Sequence, residues 1–193
     1  WILDQALKNV NRIRCYYSDF NISVNVSYVQ ICEEDLFSYI HDTLKKYDLP
    51  GSVLTIELTE THFDEYPEKL QDFIEKCQSI GIRFALDDFG SAYSSLSLLF
   101  KYSANIVKLD KSLLKELHNS KDNEKLLKAI VNACHEFGKK VCMEGIETEE
   151  ELHFTKRVFA DTLQGFYFYK PMELQDFYEV MSAKYNEEKD IQS

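Results

Sequence analysis

The alternation of short apolar runs with helical patterns constrains the fold of this chain more than any other feature. Strands that alternate with helices imply a parallel sheet whose strands are joined by crossover helices. The runs are too apolar, and too often flanked by helices, for a β-sandwich. We therefore predict an α/β fold. Its six predicted strands are Ile22–Val26, Val53–Leu58, Ile82–Leu86, Ile106–Leu109, Lys140–Met143 and Thr162–Phe166.

Helical periodicity accounts for most of the remaining sequence. The predicted helices cover residues 1–17, 33–47, 67–80, 94–101, 111–117, 122–137 and 148–159. A TIM-type (β/α)8 barrel needs eight strands and about 250 residues, whereas this chain has 193 residues and six predicted strands. We expect such a barrel truncated to about six strands, with its N-terminal part missing. Residues 1–185 would form this domain, and residues 186–193 a disordered, solvated tail.

Polar side chains follow the predicted strands at the point where each strand ends. In an α/β barrel or an open parallel sheet, catalytic groups converge at the carboxyl ends of the strands. One such residue has a simple structural explanation as a solvated loop side chain, but a set drawn from every strand does not. The set is Asn25, Glu57, Asp87, Asp88, Lys108, Glu144 and Gln164.

Most of these side chains are oxygen donors, which suits Mg²⁺ or Mn²⁺ better than zinc. The adjacent carboxylates of Asp87 and Asp88 would repel each other unless a positive charge lay between them. Two cations at such a pair can hold the attacking and leaving oxygens of a phosphoryl displacement. Lys108 could place a cationic or proton-transferring group beside the attacking water. The pattern predicts a two-metal site for phosphoryl displacement.

The composition limits the partners and the compartment. A formal net charge of −11 argues against a DNA- or RNA-binding groove, although bound cations would still allow a phosphate substrate. The five cysteines show no CxxC spacing and are expected to be reduced thiols of a cytoplasmic protein. No apolar run is long enough to cross a bilayer, so we expect no membrane contact by this domain. The sequence begins with Trp1 inside a helical pattern, so we interpret the chain as a fragment of a longer parent protein. A membrane anchor in that parent protein would be compatible with this interpretation.

Six segments resemble, in order, the successive motifs of EAL domains, the bacterial family that hydrolyses the signalling dinucleotide cyclic di-GMP. The last of them is the closing motif, which begins with Gln164 and Gly165. Together they extend the resemblance over residues 1–172. The segments are 23–27 (SVNVS), 57–60 (ELTE), 87–95 (DDFGSAYSS), 107–110 (VKLD), 144–147 (EGIE) and 164–171 (QGFYFYKP).

The resemblance implies a role for each matching position. Asp87 would be the carboxylate that bridges two Mg²⁺ or Mn²⁺ ions. The implied metal ligands are Asn25, Glu57, Asp87, Asp88 and Glu144. The implied catalytic residues are Lys108, Glu144 and Gln164, and whether Lys108 or Glu144 takes the proton from water stays open. Glu60 would hold the loop after the Asp-Asp-Phe-Gly segment in place. Glu147 would lie behind the metal ligands and support them without binding the metal itself.

The resemblance implies hydrolysis of cyclic di-GMP to linear pGpG by a homodimeric enzyme. The alternative is a catalytically inactive cyclic di-GMP receptor, as degenerate members of the family are. The Glu-Ala-Leu strand, which supplies another metal ligand, is absent here, so we expect an active parent and a weak or inactive fragment. Ala92 also stands where the family usually has glycine in the loop.

Overall fold

The sheet of this protein contains six parallel strands, each hydrogen-bonded to its neighbours in the sequence. The computed structural model describes residues 1–33, 35–59, 67–91, 99, 103–113 and 121–192. Within these residues the strand order is β1-β2-β3-β4-β5-β6, and every pair is parallel. The strands are β1 Ile22–Asn25, β2 Leu54–Thr59, β3 Arg83–Phe89, β4 Ile106–Leu109, β5 Lys140–Met143 and β6 Thr162–Leu163.

Seven α-helices accompany the sheet in the described part of the chain. The strand order confirms the predicted truncated TIM-type barrel, because the strand order of a doubly wound sheet would reverse at some point. The predicted short helices at 94–101 and 111–117 lie mostly outside the described residues. The helices are α1 Ile2–Arg14, α2 Tyr28–Ile31, α3 Leu36–Lys46, α4 Pro67–Ser79, α5 Lys121–Glu136, α6 Glu149–Arg157 and α7 Leu174–Gln192.

The hydrophobic core lies between the strands and the helices that cover them. Ile56, Val107 and Val141 on the central strands are fully buried, as are Leu7 of α1 and Leu127 of α5. Burial of each such side chain contributes roughly 1.5–3 kcal/mol. The core therefore fixes the helix-facing side of the strands, and the alternating side chains face the barrel interior.

Two helices that follow strands begin with reciprocal caps. The backbone N–H of Gln30 donates to the Ser27 hydroxyl, and the Gln30 side chain accepts from the Ser27 N–H at 2.9 Å. Thr148 and Glu151 repeat this arrangement at the start of α6. Such caps satisfy backbone donors that a helix start leaves unpaired. They hold the loop after β1, which directly follows Asn25, and the loop after β5, which begins with Glu144.

β6 is shorter than the sequence predicts. The predicted strand ran to Phe166, but the observed strand ends at Leu163. Beyond it, Gln164 accepts a hydrogen bond from the Ile146 N–H, and the chain turns at Gly165, whose carbonyl accepts from the Phe168 N–H. A side chain at position 165 would collide with the Ile146 carbonyl. The aromatic run after Gly165 is therefore a turn and not a strand.

The expected tail from residue 186 also differs from the structure. Helix α7, which the sequence analysis did not assign, continues through this stretch to Gln192. Its last residues include Glu, Lys and Gln, which are good helix formers. Earlier in the helix, Tyr178 donates to the Asn9 side chain at 2.9 Å, and the Phe177 ring contacts Phe20. Packing against α1 and the segment before β1 thus anchors α7.

Two further expectations concern thiols and membranes. All five cysteines are free, as predicted. None of the helices in the described residues is long and apolar enough to cross a bilayer.

Candidate functional site

Four charged side chains from four neighbouring strands meet inside the half-barrel. The Lys108 ammonium lies 2.8 Å from Glu57 Oε2, 2.8 Å from Asp87 Oδ1 and 2.9 Å from Glu144 Oε1. Glu57 lies in β2, Asp87 in β3 and Lys108 in β4, and Glu144 directly follows β5. The structure therefore brings four of the sequence-predicted site residues into direct contact at the carboxyl ends of the strands.

This cluster is withdrawn from solvent. Lys108 is 6% exposed, Glu57 8% and Asp87 9%. Burial alone would lower the pKa of Lys108, but its hydrogen bonds to Asp87, Glu57 and Glu144 outweigh burial and raise the pKa above its ordinary value. The lysine is thus held as a cation. Three carboxylates against one ammonium leave an excess of buried negative charge, which favours the arrival of further cations.

A β-bulge places Asp88 beside Asp87. Between Leu86 and Phe89 of β3 the pairing with β4 slips by one residue. Asp88 has a positive φ of 56°, a conformation that aspartate adopts more readily than most residues. Successive side chains of a regular strand point to opposite faces, and a bulge redirects one of them. The bulge is how two adjacent carboxylates reach the same site.

Three carboxylates could share a metal ion. Oxygen atoms of Asp87, Asp88 and Glu144 all lie within 4.8 Å of one another, and we call these three residues the acidic cluster. Burial, followed by the charges of Asp87 and Asp110, raises the pKa of Asp88. Burial also raises the pKa of Glu144, despite the hydrogen bond from Lys108. A set of oxygen ligands with disfavoured negative charge fits a hard divalent cation such as Mg²⁺ or Mn²⁺.

The raised pKa of Glu144 gives a testable pH dependence. With divalent metal chelated, we expect Glu144→Gln to gain stability relative to the wild type as the pH rises. The folded wild type binds the Glu144 proton more tightly than the unfolded chain does. It therefore loses stability from the ordinary pKa near 4.5 up through the raised value, whereas glutamine does not titrate. Urea unfolding of both proteins between about pH 4 and 8 measures the difference, and a constant difference would contradict the raised pKa.

The remaining predicted site residues lie around this cluster or outside the description. Asn25 pairs with Glu57 in the sheet register, so it is at the same end of the strands, but it is exposed at the edge. Gln164 and Glu147 line a cavity of about 790 Å³ together with Glu144. Glu60 lies outside the described residues.

Asp110 is a further acid at this end of the strands and is not among the predicted site residues. It follows β4 directly and lines the same cavity as Glu144. Its carboxylate accepts a hydrogen bond from the Ser112 N–H at 2.9 Å. Burial raises the pKa of Asp110, but the hydrogen bonds from Ser112 outweigh it, so that the pKa lies below its ordinary value. The rule that selected Glu144, an acid just past a strand end, would have found Asp110 as well.

The walls of the 790 Å³ cavity come from both edges of the sheet. Phe166 and Tyr169 follow β6, and Ile13 and Phe20 lie in or after α1, before β1. Lys111 and Lys170 add positive charge to the same cavity. The cavity therefore combines apolar and aromatic surface with cations beside the acidic cluster, a combination suited to a ligand with flat rings and phosphates.

The sequence of this chain is similar to a known protein family and to several curated proteins. The EAL domain family model matches residues 1–171. The signaling protein YkoW of Bacillus subtilis is 31% identical over 177 residues, which are 92% of this chain and 22% of YkoW. The bifunctional diguanylate cyclase/cyclic di-GMP phosphodiesterase MucR of Pseudomonas aeruginosa is 31% identical over 173 residues, which are 89% of this chain and 25% of MucR. The chain thus spans about a quarter of the length of these curated relatives.

A solved structure agrees at the level of the fold and of the sequence. The PaMucR phosphodiesterase in complex with c-di-GMP has a TM-score of 0.82 and 30% sequence identity, and the match covers 92% of this chain and 72% of that chain. The family match extends over nearly the whole chain and includes every residue of the acidic cluster. The chain belongs to the EAL domain family.

Proposed function

We propose that this chain carries the catalytic site of a metal-dependent phosphodiesterase that opens cyclic di-GMP to linear pGpG. The observation that carries the proposal is the buried contact of Lys108 with Glu57, Asp87 and Glu144. A purely structural ion pair would need one carboxylate, and a solvated surface cluster would not be buried. The relatives support the substrate, because MucR is named as a cyclic di-GMP phosphodiesterase.

The metal would be held by Asp87, Asp88 and Glu144, with Glu57 and Asn25 at the same end of the strands. When bound, divalent cations supply a Lewis acid for the phosphate and lower the pKa of water. Asp87 lies centrally in this set, because it contacts Lys108 and belongs to the acidic cluster. We infer that Asp87 would be the central residue in holding divalent cations at this site.

Lys108 is positioned to act on the attacking water. Its ammonium lies among the carboxylates that would hold the metal, and it is buried too deeply to serve as a general surface charge. An ammonium in this place can orient the water and stabilise negative charge on it. It can also relay a proton from the water if a neighbouring carboxylate accepts the proton of the ammonium. Glu144 is the candidate acceptor, because its carboxylate lies 2.9 Å from the Lys108 ammonium.

The cavity beside the cluster would receive the rest of the dinucleotide. We infer that Phe166 or Tyr169 stacks on a guanine base, since both are largely exposed and line the cavity. Lys111 and Lys170 would neutralise the phosphate that is not cut. Binding of the uncut half would hold the scissile phosphate against the acidic cluster.

A product assay tests the proposed function. Purified protein with cyclic di-GMP and Mg²⁺ or Mn²⁺ is expected to form linear pGpG, and chromatography separates the two nucleotides. Ca²⁺ in place of these ions should inhibit, because its larger and looser coordination does not suit the site. The assay is run on the 193-residue chain and on a longer protein that carries it.

Two results would contradict the proposal. Cyclic di-GMP that binds, as shown by equilibrium dialysis, but stays intact in both proteins would favour the inactive receptor instead. Failure of both proteins to bind the dinucleotide would show that the substrate class is wrong.

A further inference from the structure

A second cavity lies at the opposite end of the strands from the acidic cluster. It has a volume of about 630 Å³ and is formed where the chain enters β3, β4 and β5. Asn105 immediately precedes β4, whereas Lys108 lies near the end of that strand. At about 3.3 Å per residue, the two positions are about 10 Å apart along the strand. The second cavity is therefore separate from the site described above.

Among the described residues, two cationic side chains line this cavity. Lys139 is 7% exposed, and its ammonium donates to the Ala104 carbonyl at 2.9 Å. The Arg83 guanidinium donates to the Ser52 carbonyl at 3.1 Å, while its buried Nε–H has no acceptor among the described residues. None of the described residues lining the cavity is acidic. This concentration of positive charge is unusual in a chain whose net charge is −11.

Neutral groups also line this cavity. The side-chain oxygen Oδ1 of Asn105 accepts from the Phe84 N–H at 2.9 Å, which fixes the orientation of the side-chain amide. Gln78 donates to the Ser103 carbonyl at 2.6 Å. Phe137 is half exposed and supplies an apolar wall. Burial disfavours the charged form of Lys139 and so lowers its pKa.

We propose that this cavity binds a small phosphate-bearing molecule of up to mononucleotide size. Arginine and lysine together are the usual protein partners of a phosphate. The volume falls within the range of small-molecule sites, roughly 300–1,000 Å³. The Phe137 ring provides a face for the organic part of the ligand. The proposal does not depend on the phosphodiesterase activity.

The test uses three probes in EDTA, so that no divalent metal occupies the acidic cluster. Inorganic phosphate, AMP and adenosine are titrated while backbone amide resonances are followed by NMR. We expect AMP to shift the resonances of Gly81 and Asn105 and to bind at least about tenfold more tightly than adenosine, because each charge-assisted hydrogen bond contributes strongly. Inorganic phosphate should shift the same resonances at higher concentration.

Matched variants separate a specific contact from a general field. Lys139→Met keeps the apolar stem and should weaken AMP binding about tenfold or more. Lys140→Met removes the same charge one residue away, from an exposed side chain outside the cavity, and should change affinity less than about threefold. If circular dichroism shows that Lys139→Met does not fold, Arg83→Gln provides the same comparison.

Several outcomes would overturn the proposal. They are shifts confined to Gly145 and Gln164 at the other end of the strands, equal binding of AMP and adenosine, and equal losses in Lys139→Met and Lys140→Met. Absence of any shift with all three probes would overturn it as well.

Discussion

Asp87→Asn is expected to reduce hydrolysis of cyclic di-GMP by about a thousandfold or more. Asparagine keeps the size of the side chain but removes one negative charge and one strong ligand. Asp87 contacts Lys108 at 2.8 Å and belongs to the acidic cluster with Asp88 and Glu144. Its loss would weaken both the hold on divalent metal and the positioning of Lys108. A thousandfold loss corresponds to about 4 kcal/mol of transition-state stabilisation.

Asp72→Asn is the matched control for this change. Asp72 lies in α4, is largely exposed and pairs with Lys76 one helical turn away at 2.6 Å. Exposed pairs of this kind contribute little to stability, so turnover should be unchanged. Initial rates of pGpG formation at saturating Mn²⁺ measure both variants. Undiminished turnover in Asp87→Asn would rule out a mechanism in which this carboxylate bridges two metals.

Lys108→Met is expected to have two effects that can be measured separately. Turnover should fall by about 10²–10⁴-fold, the usual contribution of a positioned proton-transfer group, while affinity for cyclic di-GMP changes less than about threefold. In EDTA the folded state should also lose about 3–5 kcal/mol, because Glu57, Asp87 and Glu144 are left as buried like charges without a counter-ion. Mn²⁺ should restore part of this stability by taking the place of the ammonium.

The control for this variant is Lys76→Met, which removes an exposed charge from α4. It should alter neither turnover nor the response of stability to Mn²⁺. Single-turnover kinetics separate chemistry from binding, and urea unfolding gives the stability. Unchanged turnover with weakened affinity would instead make Lys108 a contact for the substrate phosphate.

Much of the fold follows from local sequence patterns. β4 and β5 begin and end where the apolar runs predict, because each run is short and bounded by polar or turn-forming residues. The position of Glu144 was also predictable, since an acid directly after a buried strand of a parallel sheet lies on the catalytic face. The parallel order of all six strands was predictable from the helical patterns that separate most of the apolar runs in the sequence.

Other features depend on contacts between distant residues, which a single sequence does not reveal. The meeting of Lys108 with three carboxylates requires the register of four strands at once. The bulge at Asp88 arises from a one-residue slip between β3 and β4, for which the sequence carries no turn signal. β6 ends early because the loop after β5 captures the backbone of Gln164. Helix α7 gains stability from Asn9 and Phe20, which lie far away in the sequence.

The most direct test of this account is to locate Mn²⁺ by anomalous X-ray diffraction in crystals of the protein with cyclic di-GMP. We predict two anomalous peaks at the carboxyl ends of the strands, both at coordination distance from Asp87, with Asp88 and Glu144 as further ligands. Lys108 should then contact a metal-bound water and no longer all three carboxylates. Peaks elsewhere in the protein, or an acidic cluster that still holds only the Lys108 ammonium, would contradict the account.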